Sequence, residues 1–233
     1  MSEPLHPGRP ALTVVAKWPS EGQVKTRLAQ AVGARRATEL QRAFLRDVLE
    51  HMAPLTREGV DLILAVDGLG GDPNRLGGGR EYRIEPQGGG DLGERMARNF
   101  QRRLVREKRP AAVLIGSDLP SLPAAAVRQA LRTLRQVPMV LGPTADGGYY
   151  LIGLTRPVRA VFRGIPWSTS KVQKATLNAA QSSGVPLSMV QAWDDVDTPA
   201  DLARLQQELR RNPDLAPHTA RILLDLPPLP SDF

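Results

Sequence analysis

Apolar positions follow two alternating rhythms along this chain. Short unbroken runs, Ala11 to Ala16, Val60 to Val66 and Ala111 to Ile115, hold at most one acid and stop at Lys17, Asp67 and Gly116. Such runs read as strands buried on both faces of a parallel sheet. Between them apolar residues recur every three or four positions. Ala37, Leu40, Phe44, Leu45, Val48, Leu49 and Met52 predict a helix over 34–52, and further helices are expected from about 91 to 108, over 124–136 and over 170–182. Thr198-Pro199-Ala200-Asp201 is a capping box with proline in the first turn, opening a helix that turns Leu202, Leu205 and Leu209 inward. Brief strands are expected at 83–85, 139–142 and 187–191.

The alternation predicts a single-domain three-layer α/β/α architecture around a sheet of six or seven strands, mainly parallel. The domain is expected to span residues 11–211, between an N-terminal tail (1–10) and an irregular Pro/Leu-rich C-terminal tail (212–233). The glycine-dense stretch from Gly68 to Gly79 reads as a mobile loop without a core of its own.

Chemistry gathers where the runs end. Gly116-Ser117 breaks the third run directly before Asp118, which places a carboxylate at a strand's carboxyl end, where open α/β sheets bind ligands. A turn cap is the plain alternative for that aspartate. The loop after the first run, Lys17 to Leu28, carries Lys17, Lys25, Arg27 and a glycine, and reads either as a phosphate cradle or as an exposed basic turn. It lacks the spacing of a Walker A loop. Asp146-Gly147-Gly148 reads equally as a hairpin turn or as a place where a ligand approaches the backbone while Asp146 meets hydroxyls. Asp194, Asp195 and Asp197 crowd together late in the chain, and the alternation puts Asp195 and Asp197 on one side with Asp194 facing solvent.

Composition narrows the classes. The 233 residues include no cysteine and only three scattered histidines, so any metal must be held by carboxylates, and Mg²⁺ or Mn²⁺ suits Asp118 with Asp195 or Asp197. A formal charge of +7 admits a polyanion as partner, but aromatics are only 4% of residues and do not interleave with the basic ones, which disfavours nucleic acid. No apolar run reaches membrane-span length and Met1 to Pro10 lacks a signal-peptide pattern, so a cytoplasmic location is expected. The absence of Gly-x-Gly-x-x-Gly disfavours a dinucleotide site.

Several motifs together resemble one family: Lys-x-Pro-x-x-Gly-x-Val-Lys-Thr-Arg-Leu at 17–28, a Gln-Gly-rich-Asp-Leu-Gly-x-Arg-Met stretch at 87–96, Gly-Ser-Asp-Leu-Pro at 116–120, Asp-Gly-Gly-Tyr-Tyr-Leu-Ile-Gly at 146–153, Trp-Ser-Thr at 167–169 and Asp-Val-Asp-Thr-Pro-x-Asp-Leu at 195–202. They are similar to those of the bacterial DUF2064 transferases, also called radical-SAM/selenodomain-associated transferases. The resemblance implies a GT-A-like nucleotide-diphospho-sugar transferase fold. It implies phosphate or nucleotide contacts from Lys17, Lys25, Arg27, Gln87, Asp91 and Arg95, and a divalent cation on Asp118, Asp195 and Asp197. Asp118 and Asp146 are the implied catalytic residues, with Asp146, Gly147 and Gly148 toward sugar or acceptor. The first loop departs from the Gly-x-Gly-x-Arg-Met signature of the guanylyltransferases with this fold, so a nucleotide-sugar donor and a small-molecule acceptor are expected before nucleotidyl transfer. A non-catalytic nucleotide-binding module is the remaining alternative.

Overall fold

Seven strands form one sheet in the order β3-β2-β1-β4-β6-β5-β7. The computed structural model describes residues 8–68, 76, 81–227 and 229. The strands are β1 (Ala11–Lys17), β2 (Asp61–Asp67), β3 (Tyr82–Pro86), β4 (Ala112–Gly116), β5 (Met139–Pro143), β6 (Tyr149–Leu154) and β7 (Leu187–Met189). Neighbours pair in parallel except β6, which runs antiparallel to both β4 and β5. That exception follows from the Asp146-Gly147-Gly148 turn, which folds the chain straight back after β5. Gly147 adopts φ +86°, and a Cβ there would collide with the Ser170 carbonyl oxygen, so the turn needs glycine on both counts.

The helices are α1 (Thr26–Val32), α2 (Ala34–Met52), α3 (Leu92–Phe100), α4 (Ala124–Thr133), α5 (Val172–Ser182), α6 (Pro199–Arg211) and α7 (Pro217–Leu223). One face of the sheet packs against α2 and α4 through residues such as Val14, Ile115, Val48 and Val127. The other packs against α3 and α5 through Leu114, Ile152, Phe100 and Ala180. A third cluster joins Leu28 of α1, Phe44 of α2, Leu205 of α6 and Leu223 of α7 outside the first face. Strands covered on both faces must be apolar throughout, which is why the central runs lack polar alternation.

Three expectations need correction. The stretch expected as loop from Lys17 to Leu28 is not all loop, because α1 starts at Thr26 directly after Lys25, which takes a left-handed conformation at φ 49°. The stretch after 211 is not irregular: α7 packs on α2, and the fully buried Asp47 carboxylate in α2 accepts hydrogen bonds from His218 N, Thr219 N and Thr219 Oγ1. The long helix expected to about 108 changes pitch, since Gln101–Arg106 is a π-helical turn. Most of the proposed mobile stretch between Gly68 and Gly79 lies outside the described residues, although Leu76 within it is buried in the core.

Candidate active site

The sheet order places β1 between β2 and β4: the chain runs from β1 out to β2 and β3, then crosses back to β4 on the other side of β1. A crevice opens at the carboxyl ends of strands on either side of such a switch. Two chambers occupy it here. A basic chamber of about 240 Å³ is lined by residues including Lys17, Lys25, Arg27, Gln41 and Ser117. A larger one of about 460 Å³ is lined by residues including Asp146, Tyr149, Trp167 and Asp195. Arg27, Asp118 and Asp197 line both.

Lys25 is the centre of this arrangement. Its ammonium donates to Val196 O at 2.7 Å and to Asp197 Oδ1 at 2.5 Å, and lies 2.9 Å from Asp118 Oδ2. It also sits 5.7 Å from the centroid of the Phe44 ring. Burial opposes the Lys25 charge, yet the two carboxylates outweigh it and raise its pKa above the ordinary lysine value. Burial likewise opposes ionisation of Asp118, but Lys25 and hydrogen bonds from Gln41 and Ser117 hold its carboxyl below the usual range. Gln41 Nε2 donates to Asp118 Oδ1 at 2.8 Å, and Asp118 O accepts from Val196 N at 2.9 Å. The loop after β1, the end of β4 and the strand-like approach to α6 are thus bound to one another.

The structure shows where the residues of the expected phosphate set lie. Lys25 Nζ contacts three protein oxygens and its side chain is 4% exposed. Gln87 donates its amide to Ala16 O and Ala65 O, clamping β1 to β2. Asp91 caps α3, accepting from Glu94 N. Arg95 reaches Asp67 Oδ2 at 2.5 Å and lines neither chamber. Gln87, Asp91 and Arg95 line neither chamber, whereas Lys25 lines the basic one with its ammonium engaged by protein oxygens.

Two further cations face the crevice. Lys17 lines the basic chamber while donating to Gln23 O at 3.0 Å. Arg27 is exposed and makes no hydrogen bond or ion pair among the described residues.

The acids divide similarly. Asp195 and Asp197 both line the larger chamber, whereas Asp194, exposed, accepts from Ala145 N at 2.7 Å and so tethers the β5–β6 turn. Asp195 accepts no hydrogen bond among the described residues. Its burial, with Asp197 and Asp146 close by, pushes its pKa up to about 6. Asp146 Oδ1 accepts from Thr144 Oγ1 and Gly148 N, while Oδ2 has no hydrogen-bond partner among the described residues.

Among the described residues no three His, Cys, Asp or Glu side chains converge as a ready metal cage. A hard divalent cation bound with phosphate needs only one or two protein carboxylates, and the uncompensated charge on Asp195 beside Asp197 suits that role.

Gln41 was absent from the expected site although its position was readable, since it falls on the inward stripe of α2 between Ala37 and Phe44. Trp167 and Tyr149 also line the crevice; neither was among the expected site residues, although the Trp-Ser-Thr and Asp-Gly-Gly-Tyr-Tyr motifs contain them.

A family model described as an uncharacterised protein conserved in bacteria, DUF2064, matches residues 49–169. The chain belongs to this family. Among solved structures, this DUF2064 protein is similar to one from Desulfovibrio desulfuricans G20, provisionally described as a nucleotide-diphospho-sugar transferase. The two share 31% identity with a TM-score of 0.85, covering 94% of this chain and 95% of that one. The fold is also that of CMP:2-keto-3-deoxy-manno-octonic acid synthetase, solved with CTP, at 15% identity and TM-score 0.51 over 88% of this chain and 99% of that one. A cytidylyltransferase from Leptospira borgpetersenii serovar Hardjo-bovis gives 10% identity and TM-score 0.53 over 90% and 97%. No curated protein sequence matches the chain.

Proposed function

We propose that this DUF2064 protein is a transferase that takes a nucleotide-diphospho-sugar as donor and passes the sugar to a small-molecule acceptor. The observation that carries this reading is Arg27, an unpartnered guanidinium shared by a basic chamber and a chamber lined with acids and aromatics. Diphosphate would lie against Arg27 and Lys17, because guanidinium forks and ammonium groups bind phosphate oxygens by charge-assisted hydrogen bonds. Lys25 then acts as a positioning residue, holding Asp118 and Asp197 at the junction. Asp146 Oδ2 would accept a hydrogen bond from a sugar or acceptor hydroxyl.

Asp195 and Asp197, with Asp118 at the junction, would hold Mg²⁺ or Mn²⁺. When bound, such a cation neutralises the diphosphate and makes it a better leaving group. The similarity to the Desulfovibrio protein supports the donor class.

Nucleotidyl transfer is the second reading, favoured by the fold shared with the CTP-bound synthetase. A thermal-shift screen of nucleoside triphosphates and nucleotide-sugars, with and without Mg²⁺, separates the two, because a ligand that binds only the folded protein raises its stability. The glycosyl reading expects a nucleotide-sugar to stabilise at least as well as its triphosphate. Pyrophosphate release from a triphosphate and a sugar phosphate would select nucleotidyl transfer.

A further inference from the structure

The larger chamber has a mixed lining. Leu92 at the start of α3, Met96, Tyr149 and Trp167 supply apolar and aromatic surface; Asp146 and Asp195 supply carboxylates. Leu92 is 45% exposed, high for a large aliphatic side chain, and it stands at the lip of this chamber. A single exposed leucine is ordinary, but here it continues an apolar surface.

Trp167 is fixed in place. A Cβ on Gly93 would lie 2.8 Å from its Nε1 and 2.9 Å from its Cζ2, so the absence of a side chain at 93 lets the indole settle onto α3. Tyr149 meets the ring edge-on, with centroids 6.5 Å apart and planes at 79°. Ser168 follows in a left-handed conformation, φ 62°, a costly geometry for a non-glycine residue. The result is a braced aromatic at the cleft surface, in a chamber whose polar lining includes carboxylates, the Arg27 guanidinium and the hydroxyl side chains of Thr144 and Thr169.

We infer that this chamber binds a sugar ring, its C–H face packed on Trp167 and Leu92 and its hydroxyls donating to Asp146 Oδ2. This deepens the proposed function and rests on it. A sugar ring carries an apolar face and a rim of hydroxyl donors, which matches a lining that combines aromatic surface with carboxylate acceptors. A nucleobase would also stack on Trp167, and a base in this chamber would make loss of the indole weaken the bare diphosphate as much as its sugar conjugate. With the transferable sugar in this chamber, the base belongs on the other side of Arg27.

Calorimetry with Mg²⁺ decides it, using UDP, GDP, ADP and dTDP beside UDP-glucose, GDP-mannose, ADP-glucose and dTDP-glucose. For the nucleotide that binds, W167A is expected to weaken the sugar conjugate at least tenfold and the bare diphosphate less than twofold. W167F restores much of the loss. L92Q, at an exposed position that does not challenge folding, weakens the conjugate several-fold with the same selectivity. Equal weakening of both ligands by W167A and L92Q, or of neither, overturns the assignment while leaving the donor class intact. If the wild-type protein binds no member of either set, the donor reading falls and this assignment with it.

Discussion

The Lys25 ammonium and the Asp197 carboxylate, 172 positions apart in the chain, meet at 2.5 Å, with Asp118 on the same nitrogen. One lysine therefore neutralises two acids that would otherwise repel each other at the foot of the crevice. Replacing Lys25 with methionine removes that compensation. The expected loss is about 1–3 kcal/mol, below the value for fully buried pairs because both carboxylates retain contact with water. Urea unfolding at pH 7.5 measures it, and stability equal to wild type would show that the acids do not depend on Lys25.

Arg27 makes the opposite prediction. It has no partner to lose among the described residues, so R27A should leave the ligand-free melting temperature within about 1 °C of wild type, since surface changes away from specific contacts have small effects. Nucleotide affinity should fall about tenfold or more, taking a charge-assisted hydrogen bond as roughly 1.5–3 kcal/mol. R27K should recover only part of it, because an ammonium lacks the fork. Unchanged affinity in R27A would remove Arg27 from the phosphate site.

Asp195 carries a charge the fold does not welcome. Its pKa is raised to about 6, so the folded state holds its proton more tightly than the unfolded chain does. Stability contributed this way is full below about pH 4 and is lost as pH rises to about 6. D195N should therefore stabilise the ligand-free protein at pH 7.5, by about 1 kcal/mol after allowing for partial solvation, with the gain vanishing toward pH 4. The same variant should lose most transfer activity. A variant less stable than wild type at pH 7.5 would contradict the charge-burial account.

Asp201 has the reverse sign. It caps α6, accepting from Thr198 N at 2.7 Å and from Asp197 N at 3.2 Å. Burial opposes its ionisation, but those bonds and Arg204 depress its pKa. Its contribution is full above about pH 4 and disappears as pH falls through the folded value. D201N should cost about 1 kcal/mol at pH 7, and the difference from wild type should shrink at pH 3. Denaturation at both pH values provides the check.

Much of this was legible from the residues alone. Helix α2 spans the expected 34–52, and the apolar runs before Lys17, Asp67 and Gly116 became the central strands, because burial on both faces leaves an unmistakable pattern. Helix α1 was not legible: seven residues hold too little periodicity, and its start depends on an unusual Lys25 backbone. The direction of β6 was hidden too, since a glycine turn permits return without announcing the partner strand. Site chemistry divided along the same line. Asp118 was readable from its place at a strand end, whereas the partners of Lys25, Gln87 and Arg95 lie far off in sequence and are set by packing.

The buried Asp47 carboxylate has a consequence for how the chain can be shortened. Helix α7 has no capping side chain of its own at Ala216, so its first free N–H groups depend on an acid 171 positions earlier. The dependence runs both ways. A protease cut near Asn212 that released the last helix would do more than trim an end, because it would leave a bare anion among the leucines of the outer cluster. The boundary suggested by composition at 211 is therefore not a seam, and a stable minimal fragment must keep α7.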